Sequence, residues 1–204
     1  MYKQGWIIGL CFVATFGLTK GAMASALGAP VSYEQVGIGV SLSWMSIDEP
    51  EGSADDPMVI SPFNLVYTNK AFSDYNYWIE GFLQSETTDP STSNVGQDVE
   101  RLGIRASIIS PVPTSKITGL WAGFGGYLAR ETYSTRHTVD NDGFLLESYE
   151  DRKETVIGIQ AELMKTWSFR DEWDFALRSY YALPLMGDGA SEFVISGYFL
   201  RNRW

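Results

Sequence analysis

The sequence predicts an all-β fold, an eight-stranded antiparallel up-and-down transmembrane β-barrel, and three observations predict it. Period-two alternation of large apolar and small or polar residues recurs in eight stretches of about ten residues. The links between those stretches alternate long and short. An export-type amino terminus precedes them.

That terminus comes first in the chain. Lys3 supplies the positive start, residues 5–14 an apolar core, and Ala22-Met23-Ala24 a small-x-small cleavage site, so residues 1–24 read as a secretory signal peptide. Gly17, Thr19 and Lys20 interrupt the apolar run and leave it too short to span a bilayer. Leu10 precedes Cys11 where a lipoprotein signal carries a small residue, so Cys11 belongs to the apolar core. Residues 25–32 form a short segment, and residues 33–204 the barrel. Cleavage after Ala24 removes Lys3 and Lys20, so the 15 basic residues fall to 13 against 25 acidic ones, a net charge of −12.

In the first stretch Val36, Ile38, Val40, Leu42 and Trp44 alternate with Gly37, Gly39, Ser41 and Ser43. Residues 63–69 place Phe63, Leu65 and Tyr67 on one face. Residues 75–84 set Tyr77, Ile79 and Leu83 against Asn76, Glu80 and Gln84. Residues 101–110 set Leu102, Ile104, Ala106 and Ile108 against Arg101, Arg105 and Ser107. Residues 119–130 set Leu120, Ala122, Phe124 and Leu128 against Trp121, Gly123, Gly125 and Tyr127. Residues 154–167 set Ile157, Ile159, Ala161 and Leu163 against Gly158, Gln160 and Glu162. Residues 173–183 set Phe175, Leu177, Tyr181 and Leu183 against Asp174, Arg178 and Tyr180. Residues 193–204 set Val194, Tyr198, Leu200 and Trp204 against Arg201 and Arg203. Strands of this length, tilted, cross a bilayer.

The links at 46–57, 85–98, 133–153 and 184–191 stand on one side of the sheet, and the shorter links at 70–74, 111–116 and 168–172 on the other. Long loops outside and short turns at the periplasm are the pattern of membrane barrels, with both termini on the short-turn side. A sheet in hydrocarbon must also close, because an open edge leaves backbone groups unpaired.

On these residues the chain resembles the small eight-stranded outer-membrane barrels of the OmpA and OmpX type, over essentially the whole of residues 33–204. Its ending, Gly197-Tyr198-Phe199-Leu200-Arg201-Asn202-Arg203-Trp204, resembles the signal read by the barrel-assembly machinery, with Tyr198, Leu200 and Trp204 as its apolar and aromatic positions and a departure at Asn202. The resemblance implies residence in the outer membrane as a monomer, with outer-membrane lipid and lipopolysaccharide around it and no cofactor. Aromatics make up 14% of the chain. Trp44, Tyr67, Tyr75, Tyr77, Trp78, Trp167, Trp173, Tyr181 and Trp204 fall near strand ends, where interfacial girdles sit.

An eight-stranded lumen is just wide enough to be filled by side chains. The polar faces carry Glu80, Arg101, Arg105, Gln160, Glu162, Asp174, Arg178, Arg201 and Arg203. The expectation is a buried network in which Arg101, Arg105, Arg178 and Arg201 pair with Glu80, Glu162 and Asp174, because isolated charges there are costly. A pore lined by the same charges is the alternative, and the inward glycines Gly37, Gly39, Gly103, Gly123, Gly125 and Gly158 leave room for small pockets of water.

Other chemistry is sparse. One cysteine excludes a disulfide scaffold and one histidine excludes a clustered zinc site. His137 lies near Ser134, Asp140 and Asp142, but nothing pairs it with a nucleophile. Asp140-Asn141-Asp142-Gly143 has neither the first nor the twelfth ligand of a calcium loop, since those positions are Thr138 and Tyr149, and reads as a tight turn. Asp48, Glu49, Glu51, Asp55 and Asp56 read as a solvated acidic face, and residues 85–97 as a mobile loop. The acidic balance argues against nucleic acid. The expected function is a non-enzymatic barrel with a plugged polar lumen, serving envelope integrity or surface interaction through acidic outer loops. Three alternatives stand beside it: a narrow channel or lateral-exit carrier for small apolar solutes, a lipid A-modifying enzyme, and a periplasmic lipocalin-like binder.

Overall fold

The computed structural model describes residues 34–54, 56–72, 74–113, 117–170 and 172–202; the signal peptide, the segment 25–32, Arg203 and Trp204 lie outside the described residues. The strands are β1 (Gln35–Ser46), β2 (Met58–Phe72), β3 (Tyr75–Thr88), β4 (Gly96–Pro111), β5 (Leu120–Val139), β6 (Leu145–Ser148), β7 (Arg152–Arg170), β8 (Trp173–Met186) and β9 (Ser191–Asn202). Every pairing between them is antiparallel, and β4–β5 together with β1–β9 completes a ring of eight. The ninth strand, β6, pairs with the far end of β5 and stands outside that ring.

The alternation explains which side faces out. Ile38, Val40, Ile60, Phe63, Leu65, Leu102, Ile104, Phe124, Leu163 and Phe199 are exposed around the outer wall. A continuous exposed apolar band is the informative observation, and it suits hydrocarbon rather than water. A lipocalin-like binder needs the reverse distribution. Rings gather toward the rims: Trp44 stacks on Phe193 at 5.8 Å near the long-loop end. Tyr67–Tyr77, Phe72–Tyr75, Trp167–Phe175 and Phe175–Phe199 meet at 4.9–5.7 Å toward the short-turn end.

One bulge adjusts the pattern. Between Gly39 and Ser41 the β1–β2 register shifts, so Ser61 and Asn64, three residues apart, both point inward and are fully buried. Asn64 Nδ2 donates to Ser41 Oγ at 3.0 Å, which satisfies both groups across the bulge.

Inside, three apolar layers are stacked along the axis. Val66, Trp78, Ile109, Trp121, Met164, Ala176, Tyr198 and Leu200 fill the short-turn end. Phe82, Tyr127, Ala129, Val156, Tyr180, Ala182 and Val194 fill the middle. Met45, Ile47, Val59, Val99, Tyr133 and Ala190 lie beneath the long loops. The inward glycines serve this packing. A Cβ on Gly39 would run into the Tyr198 ring, one on Gly103 into Phe82, and one on Gly158 into Tyr127, so rings occupy the space that glycine leaves.

Five expectations are corrected. On β9 the faces are reversed: Tyr198 and Leu200 point into the lumen and Arg201 points out. Both faces of β9 are apolar, with Phe193, Ile195 and Phe199 outside, so hydropathy alone does not tell them apart. Trp78 is a lumen residue, 1% exposed, not a girdle residue. The second and third long links are shorter than read, because β3 runs to Thr88, β4 starts at Gly96 and β5 continues to Val139. The stretch read as a mobile loop is fastened by Thr88–Gln97 hydrogen bonds and by Ser53 Oγ donating to Asn94 Oδ1 at 2.6 Å. Finally, Glu49 of the acidic run is buried rather than solvated.

Candidate functional site

Parity places the charged residues. Arg101 and Arg105 lie four apart on β4 and so project from the same face. The same rule turns Glu80 inward on β3, Glu131 on β5, Glu162 on β7, Arg178 on β8 and Glu192 on β9. Barrel closure brings these strands round one axis, and the charges form one continuous chain: Glu131–Arg101–Glu192–Arg105–Glu80–Arg178–Glu162. Arg101 Nε lies 2.7 Å from Glu131 and its Nη1 3.1 Å from Glu192. Arg105 bonds Glu192 closely and lies 3.6 Å from Glu80. Arg178 bonds both Glu80 and Glu162. Six of the seven side chains are wholly inaccessible, and Glu162 retains 1%.

Neutral donors and acceptors join the chain. Gln84 Oε1 accepts from Arg101 at 2.8 Å, and Ser43 Oγ donates to Glu192 at 2.8 Å. Tyr133 donates to Glu131 at 2.5 Å. Gln160 Nε2 donates to Ser107 Oγ at 2.7 Å, and Ser107 in turn donates to Glu162 at 3.1 Å. Rings separate the cations: the Arg105 guanidinium lies 3.5 Å from the Phe82 centroid, and that of Arg178 lies 4.6 Å from Tyr180.

Two expected members stand elsewhere. Asp174 accepts from Gln35 Nε2 at 2.6 Å near the short-turn end, and Gln35 also reaches Asn202 Oδ1 at 2.7 Å, so Asp174 meets an amide rather than an arginine. Arg201 faces outward at the rim, 3.6 Å from Glu172 and over the Trp173 ring, because odd-numbered β9 residues point away from the lumen. Arg203, and Trp204 of the expected assembly signal, lie outside the described residues. Glu131 and Glu192 join the chain from outside the expected set. Each sits just beyond the strand end assigned from sequence, and extending the alternation by one step from Ala129 or Val194 finds it. Between the lower apolar layer and Gln35 is a cavity of about 10 Å³ lined by Thr68, Trp78, Trp121, Met164 and Leu200, the room that one water needs.

A second group of charges stands at the mouth. Arg136, on the part of β5 above the ring, bonds Glu49 and Glu51 from the first long loop and the Glu150 carbonyl beyond β6. Burial first, and then a hydrogen bond to Glu51, raises the Glu49 pKa above its ordinary value; that same bond lowers the pKa of Glu51. Hydroxyls of Thr87 and Thr135 donate to Asp98 at 2.6 and 2.8 Å and hold its carboxyl below the usual range. Thr135 adopts φ 58° beside the β4–β5 bulge, a conformation rare for a branched residue. His137 Nδ1 lies 2.6 Å from the Thr135 carbonyl, a backbone partner rather than a nucleophile or an acid. Beyond it, Asp140 Oδ1 accepts from the amides of Asp142 and Phe144, and Gly143 takes φ +84°; this is the tight turn read from Asn141-Asp142-Gly143.

A closed ring of eight antiparallel strands, apolar outside and packed with paired charges inside, defines a small β-barrel of the outer-membrane type. The solved structures it is similar to agree. The attachment invasion locus protein Ail of Yersinia pestis superposes with a TM-score of 0.52 at 16% identity, covering 83% of this chain and 99% of that one. Neisserial surface protein A gives a TM-score of 0.52 at 15% identity, covering 83% of this chain and 97% of that one. The likeness is one of fold. No protein-family model matches the sequence, and neither does any curated protein.

Proposed function

We propose that the protein resides in the outer membrane as a non-enzymatic, non-conducting barrel whose rigid wall carries the β5–β6 hairpin as a surface for interaction outside the cell. The observation that carries this reading is the hairpin itself. Phe144, Leu145 and Leu146 are 71%, 64% and 57% exposed at its tip, beyond the ring rather than on its wall. Among the described residues β6 pairs on one side alone, with β5, so its other edge offers unpaired backbone groups of the kind an extended partner segment joins. Asp140, Asp142, Glu147, Glu150 and Asp151 surround the tip, and that charge favours a partner with basic residues beside apolar ones.

The seven-membered chain of charges supports the plug. Opening it would strand carboxylates in a buried interior, and the cavity beside Gln35 has room for one water. Two measurements test the reading. Planar-bilayer recordings of the refolded barrel are expected to show no steady conductance; a stable open channel would return the narrow-channel alternative. Cells displaying the protein are expected to lose adhesion to extracellular-matrix-coated surfaces when Phe144, Leu145 and Leu146 are all changed to Ser, while outer-membrane fractionation and heat-modifiable migration stay unchanged. Adhesion indifferent to the triple change removes the hairpin from the function.

A further inference from the structure

The outer wall carries a second feature that the hairpin does not use. Among the described residues, the cations Arg101, Arg105 and Arg178 are sealed in the lumen, and Arg136 and Arg152 bond the acidic groups of the mouth. Lys70, Lys165, Arg170 and Arg201 stand at the short-turn rim. Two remain. Arg130 on β5 and Lys153 on β7 both have outward parity, both are exposed, and neither forms an ion pair among the described residues. In a chain with a net charge of −10, the outward-facing cations at the long-loop rim therefore fall on two adjacent strands.

Register puts them together. Arg130 is opposite Thr155 and Lys153 is opposite Thr132, so the four outward side chains make a checkerboard of two cations and two hydroxyls. Diagonal neighbours in an antiparallel pair are about 7–8 Å apart, somewhat less at Cβ, a span that two long cationic side chains close on one anion. The patch has a defined height. Leu128 on the same strand and Leu102, which pairs with Arg130 from β4, are exposed members of the apolar band, and so is Ile157 one outward step below Thr155. The cations thus stand where hydrocarbon ends on the long-loop side. Glu100, opposite Thr132, bounds the patch laterally on β4.

We propose that Arg130, Lys153, Thr132 and Thr155 bind the phosphate of a phosphorylated lipid headgroup in the outer leaflet. The height selects a lipid over a soluble anion, since acyl chains anchored there lie along Leu102, Leu128 and Ile157 while the phosphate meets the cations. Arginine and lysine supply charge-assisted bonds and the hydroxyls supply further donors. The inference rests on the outer-membrane reading above, and heat-modifiable migration of each preparation tests that reading separately from the site.

The test is lipid retention by the full chain refolded in mixed micelles with bis-phosphorylated lipid A, read by native mass spectrometry. Each cation near a phosphate surface is worth about fivefold, so the Arg130→Gln/Lys153→Gln double variant is expected to lose about thirtyfold in retention. Lys70→Gln/Lys165→Gln at the opposite rim is expected to retain lipid A as the wild type does, and Arg130→Lys to keep most of it. Wild-type barrel is expected to hold dephosphorylated lipid A no better than the double variant holds the phosphorylated form, a comparison that needs no variant to fold. Equal retention by wild type and double variant, or wild-type retention indifferent to the phosphates, overturns the site. Full competition by millimolar inorganic phosphate overturns the lipid assignment and leaves a soluble-anion site.

Discussion

The lumen and the mouth are built from the same residue types, arginine set between glutamates, yet they meet solvent differently. In the lumen Arg178 holds Glu80 and Glu162, with Arg178 and Glu80 wholly inaccessible and the Glu162 side chain 1% exposed. At the mouth Arg136 and Glu49 are buried as well, at 3% and 0%, but the Glu51 side chain they share remains 38% exposed. The comparison teaches that pair chemistry does not set the consequence of losing a pair; the surroundings do. A stranded charge in the interior has no water to turn to, whereas one at the mouth is solvated by a small movement of a loop. The lumen chain therefore belongs to the stability of the whole ring, and the mouth triad to the fastening of one loop against one hairpin.

The largest expected effect breaks the interior. Arg178→Met leaves Glu80 and Glu162 without their shared cation and should cost about 3–5 kcal/mol in urea unfolding from lipid vesicles. A cost near that of an exposed pair would mean that water enters the lumen, and the contrast between the two regions would fall. Next comes the packing between the charges. Gly39→Leu drives a side chain into the Tyr198 ring and should cost about 1–3 kcal/mol in the same assay, with expulsion of the ring visible in tyrosine fluorescence. Smaller again is Arg136→Ala. It should change ring unfolding by no more than about 1 kcal/mol while protease cleaves residues 47–57 and the β5–β6 hairpin several times faster. A large loss of ring stability would join mouth and lumen into one unit.

The smallest effect sharpens the mouth itself. Because the pKa of Glu49 is raised in the folded state, its contribution to stability is full at low pH and is lost as pH rises through that raised value. Glu51 runs the other way: its pKa is lowered, so its contribution is present above the ordinary value of 4.5 and is lost as pH falls through the lowered one. Protection of the loop from protease should therefore rise on mild acidification from neutrality, pass a maximum near the ordinary glutamate value, and fall below it. A monotonic profile would show that the two carboxylates do not share Arg136 as a unit.

Sequence by itself determined the class. Ile38, Val40, Leu102, Ile104 and Phe124 alternate with small or polar partners because one wall faces lipid, and alternation of period two survives any register. The same parity sent Glu80, Arg101, Arg105, Glu162 and Arg178 to the inner face. It failed where its premise failed. On β9 a lumen packed with rings makes the inner residues Val194, Tyr198 and Leu200 as apolar as the outer ones, so the alternation predicts Arg201 inward and leaves Glu192 outside the strand. Beyond the bilayer both faces of β5 are polar, so the strand's continuation through Glu131 and Arg136 to Val139 carries no hydropathy signal. Partner choice was beyond the sequence altogether. Arg105 meets Glu192 across 87 residues and Arg178 meets Glu80 across 98. Which charges share a height is set by strand tilt and stagger when the ring closes, and those are properties of the closed sheet rather than of any one strand.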